Sequence, residues 1–355
     1  MRAGVVVPAQ PGVDDLAILA EELGLRSFWV NDTPMVHGDP FVALGLCAKA
    51  TRHIRLGVGV TSPALRSAPA AASGLASLNA LAPGRIICGV GTGNTARRTL
   101  GMRPTTAATM ETFIAALQDL CAGRSTEYRE GDRVRDIRFL HTWTHVNTAD
   151  PIEFVVAALL GPKAAAVAGR RGTGLMSYGL LEPSAWDALH GARRDAAPAA
   201  PRGPDARTDS YLVAPLHLLD EDEDPHGVAA RDATGQIVLS LLAFAADTAA
   251  DPDAFAGQLG PEERQAVERL LDRRGTTASA PDRHIKLYPG YLGRIAPQDR
   301  DLVLPSLMDT LALVGTRDDL RARIATLERA GIDELVIQPV IDPPAEMARF
   351  AELLS

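Results

Sequence analysis

Cysteine is scarce in this chain of 355 residues. Its three cysteines, Cys47, Cys88 and Cys121, are far apart in the sequence, lie in apolar surroundings and form no Cys-x-x-Cys pair. This pattern argues against a disulfide framework and favours buried free thiols in a reducing compartment. The acidic run from Asp220 to Asp224 is interpreted as a solvated segment, so no metal site is predicted.

Long apolar runs and an excess of positive charge are also missing. No stretch approaches the roughly 18 apolar residues of a membrane span, and the apolar run near Met1 is too short for a signal peptide. The net charge is −8 and the arginines are scattered, which argues against nucleic acid or an anionic membrane as a partner. We therefore expect a cytoplasmic protein.

The most informative stretch runs from Arg85 to Asn94, where a short apolar run stops in a glycine-rich turn. Such a run is typical of a central parallel strand that is buried on both faces. Gly89, Gly91 and Gly93 lack Cβ atoms where the strand ends, so they allow either the close approach of a flat ligand or room for neighbouring barrel side chains. The stretch matches the dinucleotide-binding pattern poorly, because no acidic residue follows a second strand at the required distance.

Short apolar runs alternate with segments of helix length, which predicts βαβ units and a parallel sheet. Eight strands are predicted, at Gly4–Pro8, Arg26–Val30, Ile54–Val60, Arg85–Gly91, Ile152–Ala158, Gly174–Gly179, Ser210–Leu219 and Leu335–Gln338. Residues 123–150 interrupt the alternation after the fourth strand with a hairpin that turns at Gly131–Asp132, and residues 220–298 form a helical insertion after the seventh. This order predicts one (β/α)8 TIM-barrel domain over residues 1–355, rather than an open doubly wound sheet.

In such a barrel the active site lies at the carboxyl ends of the strands. The turns that follow strands two, three and four contain Asp32–Thr33, Thr61–Ser62 and Thr92–Asn94. After strand five, Gly161–Pro162 opens a helix, whose free N–H groups and dipole favour an anion. Lys163 adds a positive charge there, although an ordinary turn with proline at the first helical position explains the same residues.

Several of these stretches resemble the bacterial luciferase-like oxidoreductases. Within that class the chain is most similar to the branch of methylenetetrahydromethanopterin reductase and of the glucose-6-phosphate dehydrogenase that uses a deazaflavin. The likeness rests on Phe28 to Asp32 (FWVND), Ile54 to Thr61 (IRLGVGVT), Gly89 to Gly93 (GVGTG), Ala157 to Lys163 (AALLGPK), Leu313 to Arg317 (LVGTR) and Leu335 to Pro339 (LVIQP). It covers nearly the whole chain and weakens between about 180 and 280.

The resemblance implies a planar redox cofactor at the mouth of the barrel, either the deazaflavin coenzyme F420 or FMN. It also implies a cis peptide bond at the end of strand three, between Gly59 and Val60 or one residue further on. The residues expected to bind the cofactor are Asp32, Thr33, Gly59, Val60, Thr61, Thr92, Gly93, Asn94, Leu160, Gly161, Pro162 and Lys163. A homodimer and a small-molecule substrate are implied as well.

Two positions depart from the sugar-phosphate dehydrogenase branch. That branch has a histidine where this chain has Thr33 and a glutamate where it has Asn94, and neither residue here is a competent acid or base at neutral pH. Sugar-phosphate oxidation is therefore disfavoured. Histidine is the commonest general acid or base, so His37 and His284 are the preferred catalytic candidates, with Asn94 as a third.

Two enzymatic functions and one non-catalytic function fit these residues. The leading hypothesis is hydride transfer from reduced coenzyme F420 to a small organic substrate. The alternative is an FMN-dependent monooxygenase that receives reduced flavin from a separate reductase and uses oxygen. Such enzymes tend to have basic residues after strand four, to which Arg97–Arg98 either correspond distantly or not at all. We favour a solvent-facing helix for Arg97–Arg98. The third hypothesis is a flavin-binding barrel without catalysis.

Overall fold

A closed barrel of parallel strands forms the centre of the molecule in the computed structural model, which describes residues 1–143, 145–159, 161–198, 208–249 and 259–355. The strands are Arg2–Val7 (β1), Ser27–Val30 (β2), Arg55–Thr61 (β3), Ile86–Val90 (β4), Thr126–Glu130 (β5), Arg133–Ile137 (β6), Glu153–Ala157 (β7), Gly174–Tyr178 (β8), Ser210–Ala214 (β9), Leu216–Leu218 (β10), Leu313–Gly315 (β11) and Glu334–Ile337 (β12). Eight of them close in the order β1-β12-β9-β8-β7-β4-β3-β2. The predicted TIM barrel is confirmed.

Helices surround the barrel and fill the long insertion. They are Val13–Glu22 (α1), Pro40–Ala50 (α2), Ala68–Leu81 (α3), Asn94–Arg98 (α4), Ala107–Cys121 (α5), Pro162–Arg171 (α6), Pro183–Ala196 (α7), Val228–Thr248 (α8), Pro261–Arg273 (α9), Arg283–Leu287 (α10), Pro305–Leu311 (α11), Arg317–Arg329 (α12) and Pro343–Leu354 (α13), with a 3₁₀ helix at Pro297–Leu302. Local sequence explains several boundaries. Asp39 caps α2 by accepting a hydrogen bond of 2.8 Å from the backbone N–H of Phe41, and Thr316 forms a capping box with Asp319.

Polar side chains fill the amino-terminal end of the barrel. Arg55 and Glu153 form a buried ion pair of 2.6 Å, and the Tyr211 hydroxyl donates a hydrogen bond of 2.6 Å to the same carboxylate. Ser27 donates a short hydrogen bond to Glu334. These buried groups pair with one another at the start of their strands, although Arg55 Nε and Glu153 Oε2 make no hydrogen bond to any described residue there. Because they lie at the end of the barrel opposite the carboxyl ends of the strands, we assign them to stability.

The predicted strand Ser210–Leu219 is wrong in its length, because the chain bends at Pro215 and forms two strands there. Proline has no N–H to donate to a sheet, so β9 ends before it. The next strand, β10, leaves the barrel and pairs in parallel with β11, with Leu216 opposite Leu313. The hairpin β5–β6 was predicted correctly, including its turn, where Gly131 has a φ of 57°.

The helical insertion has its own hydrophobic core, built around α8 and including Leu242, Leu270 and Leu302. Among the helices of the described residues, α8 alone is long and apolar enough to cross a membrane. Its acidic residues Asp232 and Asp247 are paired with arginines inside this structure, and most of its length is buried. These contacts are those of a core helix.

Candidate active site

Val60 occupies the floor of the barrel mouth. The peptide bond between Gly59 and Val60 is cis, at the position that the family resemblance implied. A Cβ atom added to Gly89 would lie 2.6 Å from one Val60 methyl group, and one added to Gly91 would lie 3.0 Å from the other. Gly89 in β4 and Gly91 just after it therefore make room for this neighbouring side chain, and the partly exposed Val60 in turn presents an apolar surface towards the mouth.

Three buried polar atoms without partners lie at the carboxyl ends of β2 and β3, and a fourth lies in the loop that follows β2. They are Asn31 Nδ2, Asp32 Oδ2, His37 Nε2 and Thr61 Oγ1, which we call the polar cluster. None of them makes a hydrogen bond of good geometry within the described residues, although the Thr61 hydroxyl lies close to the Asp32 carboxyl group. Leaving a buried polar group unpaired costs about 1–3 kcal/mol, so four together indicate a surface built to receive a polar ligand.

The ionisable members of the polar cluster are shifted towards their neutral forms. Burial raises the pKa of Asp32, although the nearby Thr61 hydroxyl and the Arg66 guanidinium partly oppose it. Burial lowers the pKa of His37. The imidazole is therefore neutral at pH 7 and its Nε2 atom is available to exchange a proton or a hydrogen bond.

The turn after β4 is held by side chains rather than left open. Gly93 adopts a φ of 76° at the start of α4, where a Cβ atom would lie 2.6 Å from Ser62 Oγ. Asn94 Oδ1 accepts a hydrogen bond of 2.8 Å from Arg98 Nε. The Thr92 carbonyl accepts from the backbone N–H and the hydroxyl of Thr105. Asn94 is therefore a positioned amide, whose role in catalysis stays a prediction.

The interpretation of Arg98 as part of a solvent-facing helix is wrong. Its side chain is only 17% exposed and forms an ion pair of 3.0 Å with Asp247 on α8. Its guanidinium also lies 4.8 Å from the centre of the Phe244 ring. Arg97 donates a hydrogen bond of 2.9 Å to the Arg103 carbonyl. Arg98 thus attaches the barrel to the insertion, whereas the contact of Arg97 is local.

The predicted anion site lies at the first turn of α6, directly after β7. Gly161 is the residue before the helix, Pro162 is its first residue, and no side chain caps it. Lys163 is exposed beside this turn. Leu160, the fourth residue predicted for this site, lies outside the described residues. Pro162 has no N–H, and the N–H groups of Ala164 and Ala165 donate to the Gly161 carbonyl, so the phosphate-binding role of this helix start stays a prediction.

The structure separates the two candidate histidines. His37 follows β2, and its backbone N–H donates to the Thr33 carbonyl, which places Thr33 in the same turn. His284 lies on α10, where its ring packs against Gly101, since a Cβ atom added there would be 2.7 Å from His284 Nδ1. His284 therefore contacts the segment after α4 and is not a member of the polar cluster.

Three polar side chains of the mouth were not among the predicted site residues. Tyr178, at the end of β8, donates a hydrogen bond of 2.6 Å to Gln338 Oε1, and Gln338 Nε2 donates to the Leu292 carbonyl at 3.2 Å. Asn31, in the polar cluster, is the third. Each side chain lies at or just after the end of a barrel strand. A polar residue at the end of a predicted strand was therefore the signal that could have identified them.

A closed parallel barrel with unpaired polar groups at the carboxyl ends of its strands is a protein of the (β/α)8 class, whose enzymes have their active sites at that end. Within that class, residues 8–334 match the family model described as luciferase-like monooxygenase. The chain belongs to this family.

Two relatives in sequence support the same assignment. The chain is 28% identical to 5,10-methylenetetrahydromethanopterin reductase of Methanolobus tindarius over 96% of this chain and 95% of the relative. It is also 28% identical to an F420-dependent glucose-6-phosphate dehydrogenase of Nakamurella multipartita, over 78% of this chain and 82% of the relative.

A solved structure shares the fold at low sequence identity. It is the oxygenating component of 3,6-diketocamphane monooxygenase from Pseudomonas putida in complex with FMN, with a TM-score of 0.64, 14% identity and coverage of 100% of this chain and 96% of that one. The family consists of F420- or flavin-dependent oxidoreductases and monooxygenases, which confirms the predicted enzyme class.

Proposed function

We propose that this enzyme binds coenzyme F420 at the mouth of its barrel and uses the reduced cofactor to reduce a small organic substrate. The polar cluster is the observation that carries the proposal. Three of its unpaired atoms lie at the ends of two adjacent strands, where Thr61 directly follows the apolar side chain of Val60, and the fourth lies in the loop after β2. A ligand with one polar edge and a flat apolar face is the kind that matches this arrangement.

The deazaflavin ring has such an edge, with carbonyl acceptors next to an N–H donor. Asn31 Nδ2 is a donor for a ring carbonyl, the Thr61 hydroxyl serves as donor or acceptor, and Asp32 Oδ2 is an acceptor for the ring N–H. When bound, this cofactor supplies a hydride from its C5 position. The residues present therefore fit the group.

The chain's own residues would orient the cofactor and pass on the proton that the reduction takes up from solvent. His37 is neutral at pH 7, since burial lowers its pKa, and its unpaired Nε2 atom is suited to exchange a proton at the site. The start of α6, with Gly161, Pro162 and Lys163, would bind the cofactor's phosphate. The helices of the insertion, which are anchored to α4, would exclude water from the mouth.

FMN is the alternative cofactor, since its ring has the same polar edge and a structural neighbour is solved with FMN. In that case the enzyme would be a monooxygenase, and a flavin reductase would be its partner. Fluorescence titration with both cofactors, each oxidised and reduced, separates the two functions. We expect tight binding of coenzyme F420 and weak binding of FMN; preferential binding of reduced FMN, with oxygen uptake coupled to product, would replace the first function by the second.

Asp32→Asn tests whether the polar cluster is the binding surface. We expect its affinity for F420 to fall about tenfold because a charge-assisted hydrogen bond is lost, while thermal stability is unchanged or higher because an unpaired carboxylate is removed. Asp15→Asn, at an exposed position on α1, is the matched control and should bind like the wild type. Equal affinity of both variants would exclude Asp32 from the site.

We also propose that the enzyme is a homodimer, as the family resemblance implies. Support comes from α2, where Val42 is 69% exposed and Leu46, one turn further on, is 52% exposed. Apolar side chains on adjacent turns of a surface helix are typical of a contact surface between subunits.

A further inference from the structure

The helical insertion contains a partly open cavity of about 240 Å³ that the proposed function does not use. One wall is a single stripe of α8, formed by Gln236, Leu239, Ser240 and Ala243, and the opposite wall includes residues 289–296. An engineered cavity of about 150 Å³ holds one benzene ring, so this cavity has room for a group of about ten non-hydrogen atoms.

Gln236 is the unusual residue in this cavity. It is 1% exposed, and neither its amide nitrogen nor its amide oxygen has a hydrogen-bond partner in the described part of the chain. A buried primary amide normally satisfies both atoms, because each unpaired group costs free energy. A second unpaired donor lines the same cavity, the buried Nε–H group of Arg274.

The charge of Arg274 is already compensated. Its guanidinium forms hydrogen bonds of 2.7 and 3.2 Å with the two carboxylate oxygens of Asp299, whose side chain is 2% exposed. The neighbouring Arg273 is paired with Asp301 at 2.8 and 3.0 Å. Arg274 and Asp299, the charged lining residues at the inner end of the cavity, therefore balance each other, and the third charged lining residue, Arg294, is exposed. The other walls of the cavity include the apolar side chains of Leu270 and Leu287.

We propose that this cavity is a second binding site, for a small uncharged molecule or group that carries an amide-like edge, such as a lactam or a pyridone-type ring. Gln236 would pair with the edge through both amide atoms, as donor to the ligand's carbonyl and acceptor from its N–H. Arg274 Nε–H would donate to a further acceptor, and the leucines would pack against the apolar part of the ligand.

The second site shares a wall with the barrel mouth. Leu292 lines the cavity, and its carbonyl accepts a hydrogen bond from Gln338 of the mouth, which in turn accepts from Tyr178. The lining of the cavity and the polar cluster nevertheless have no residue in common. Binding at the second site can therefore be measured separately from binding of a redox cofactor.

The test compares two five-membered ring probes, 2-pyrrolidinone, which has the amide edge, and cyclopentanone, which has only the carbonyl. Affinities are measured by ligand-observed NMR on the wild type and on Gln236→Met, which has a similar volume but no amide. We expect 2-pyrrolidinone to bind the wild type about tenfold more tightly than cyclopentanone does, and to lose about tenfold in Gln236→Met. Gln10→Met makes the same change at an exposed position and should leave both affinities unchanged.

Folding is checked by thermal denaturation, and Gln236→Met should melt at or above the wild-type temperature because an unpaired buried amide is removed. A crystal soaked with 2-pyrrolidinone should show the lactam against Gln236. The proposal is overturned by equal affinity of 2-pyrrolidinone for the wild type and Gln236→Met, by the absence of saturable binding to the wild type, or by density for the lactam elsewhere only. F420 or FMN binding is unaffected in each case, so failure here is distinct from failure of the proposed function.

Discussion

At the scale of single residues, Glu334 links the stability of the barrel to pH. This carboxyl group is 1% exposed at the first position of β12, where it accepts a short hydrogen bond from Ser27. Burial raises its pKa from the usual 4.5 to about 7, against the opposing charges of Arg2 and Arg55. The folded protein therefore holds a proton in a pH range in which the unfolded chain has already released it.

Glu334→Gln should remove this pH dependence. Between pH 4.5 and about 7 the unfolded state binds fewer protons at this site, so the group's contribution to stability is complete below pH 4.5 and is lost as the pH rises through 7. The wild type should lose about 3 kcal/mol relative to the variant over this range. Urea unfolding at pH 5 to 8 measures the difference; parallel profiles for the two proteins would show that Glu334 does not titrate in this range.

The location of a single side chain could be predicted from the sequence where it depended only on the position of the residue relative to a strand. Asp32 and Thr61 could be placed at the mouth because each follows a strand, and the structure puts both in the polar cluster. Arg98 could not be assigned, because its partner Asp247 is distant in sequence and the insertion shows no pattern that predicts the pairing. The insertion also shows no pattern from which one could predict that Gln236 is buried without a hydrogen-bond partner.

At the scale of elements, Asp247 joins three helices from different parts of the chain. Its carboxylate accepts hydrogen bonds of 3.0 Å from Arg98 on α4 and 2.7 Å from Arg283 on α10, while Asp247 itself lies on α8. Arg98 also donates to Asn94, so the same contacts fix the turn after β4. The insertion and the edge of the barrel mouth are therefore coupled through one buried carboxylate.

Asp247→Asn should loosen this junction without unfolding the barrel. Removing the charge leaves two partly buried guanidinium groups without an anion, which costs about 3 kcal/mol. We expect faster amide hydrogen exchange in α4 and α8 and no change in β1 and β12. Asp272→Asn, at an exposed position on α9, is the control and should exchange like the wild type. If exchange in α4 stays at the wild-type rate, the junction does not hold the turn.

Elements were predictable from sequence to the extent that local chemistry fixes them. The strand predicted at Gly174–Gly179 is found at Gly174–Tyr178, because a short apolar run between turn formers has few alternatives. The short helix α4 was missed, since five residues carry little periodicity. The strand from Ser210 was predicted too long, although Pro215 was a visible signal for its end.

At the scale of the whole molecule, the proposed dimer gives a test of the exposed face of α2. The double variant Val42→Glu with Leu46→Glu should be monomeric, because charges would be buried at the contact. Light scattering coupled to size-exclusion chromatography measures the mass. Ile285→Glu, which alters a side chain that is 67% exposed on α10, should remain dimeric. A monomeric wild type at all concentrations would contradict the proposal.

The parallel pair β10–β11 determines where the insertion can be replaced by one of different sequence. The chain leaves for the insertion through Leu218 and returns through Leu313, and these two strands are hydrogen-bonded neighbours, about 4.8 Å apart. The described residues between them therefore form a cassette with its own core, which also contacts the barrel edge through the Arg98–Asp247 pair. Because neither β10 nor β11 belongs to the closed barrel, a cassette of different length or sequence can be exchanged at these two strands while the barrel keeps its closure. Chimeras spliced within β10 and β11 should thus retain the cofactor and acquire a new substrate range.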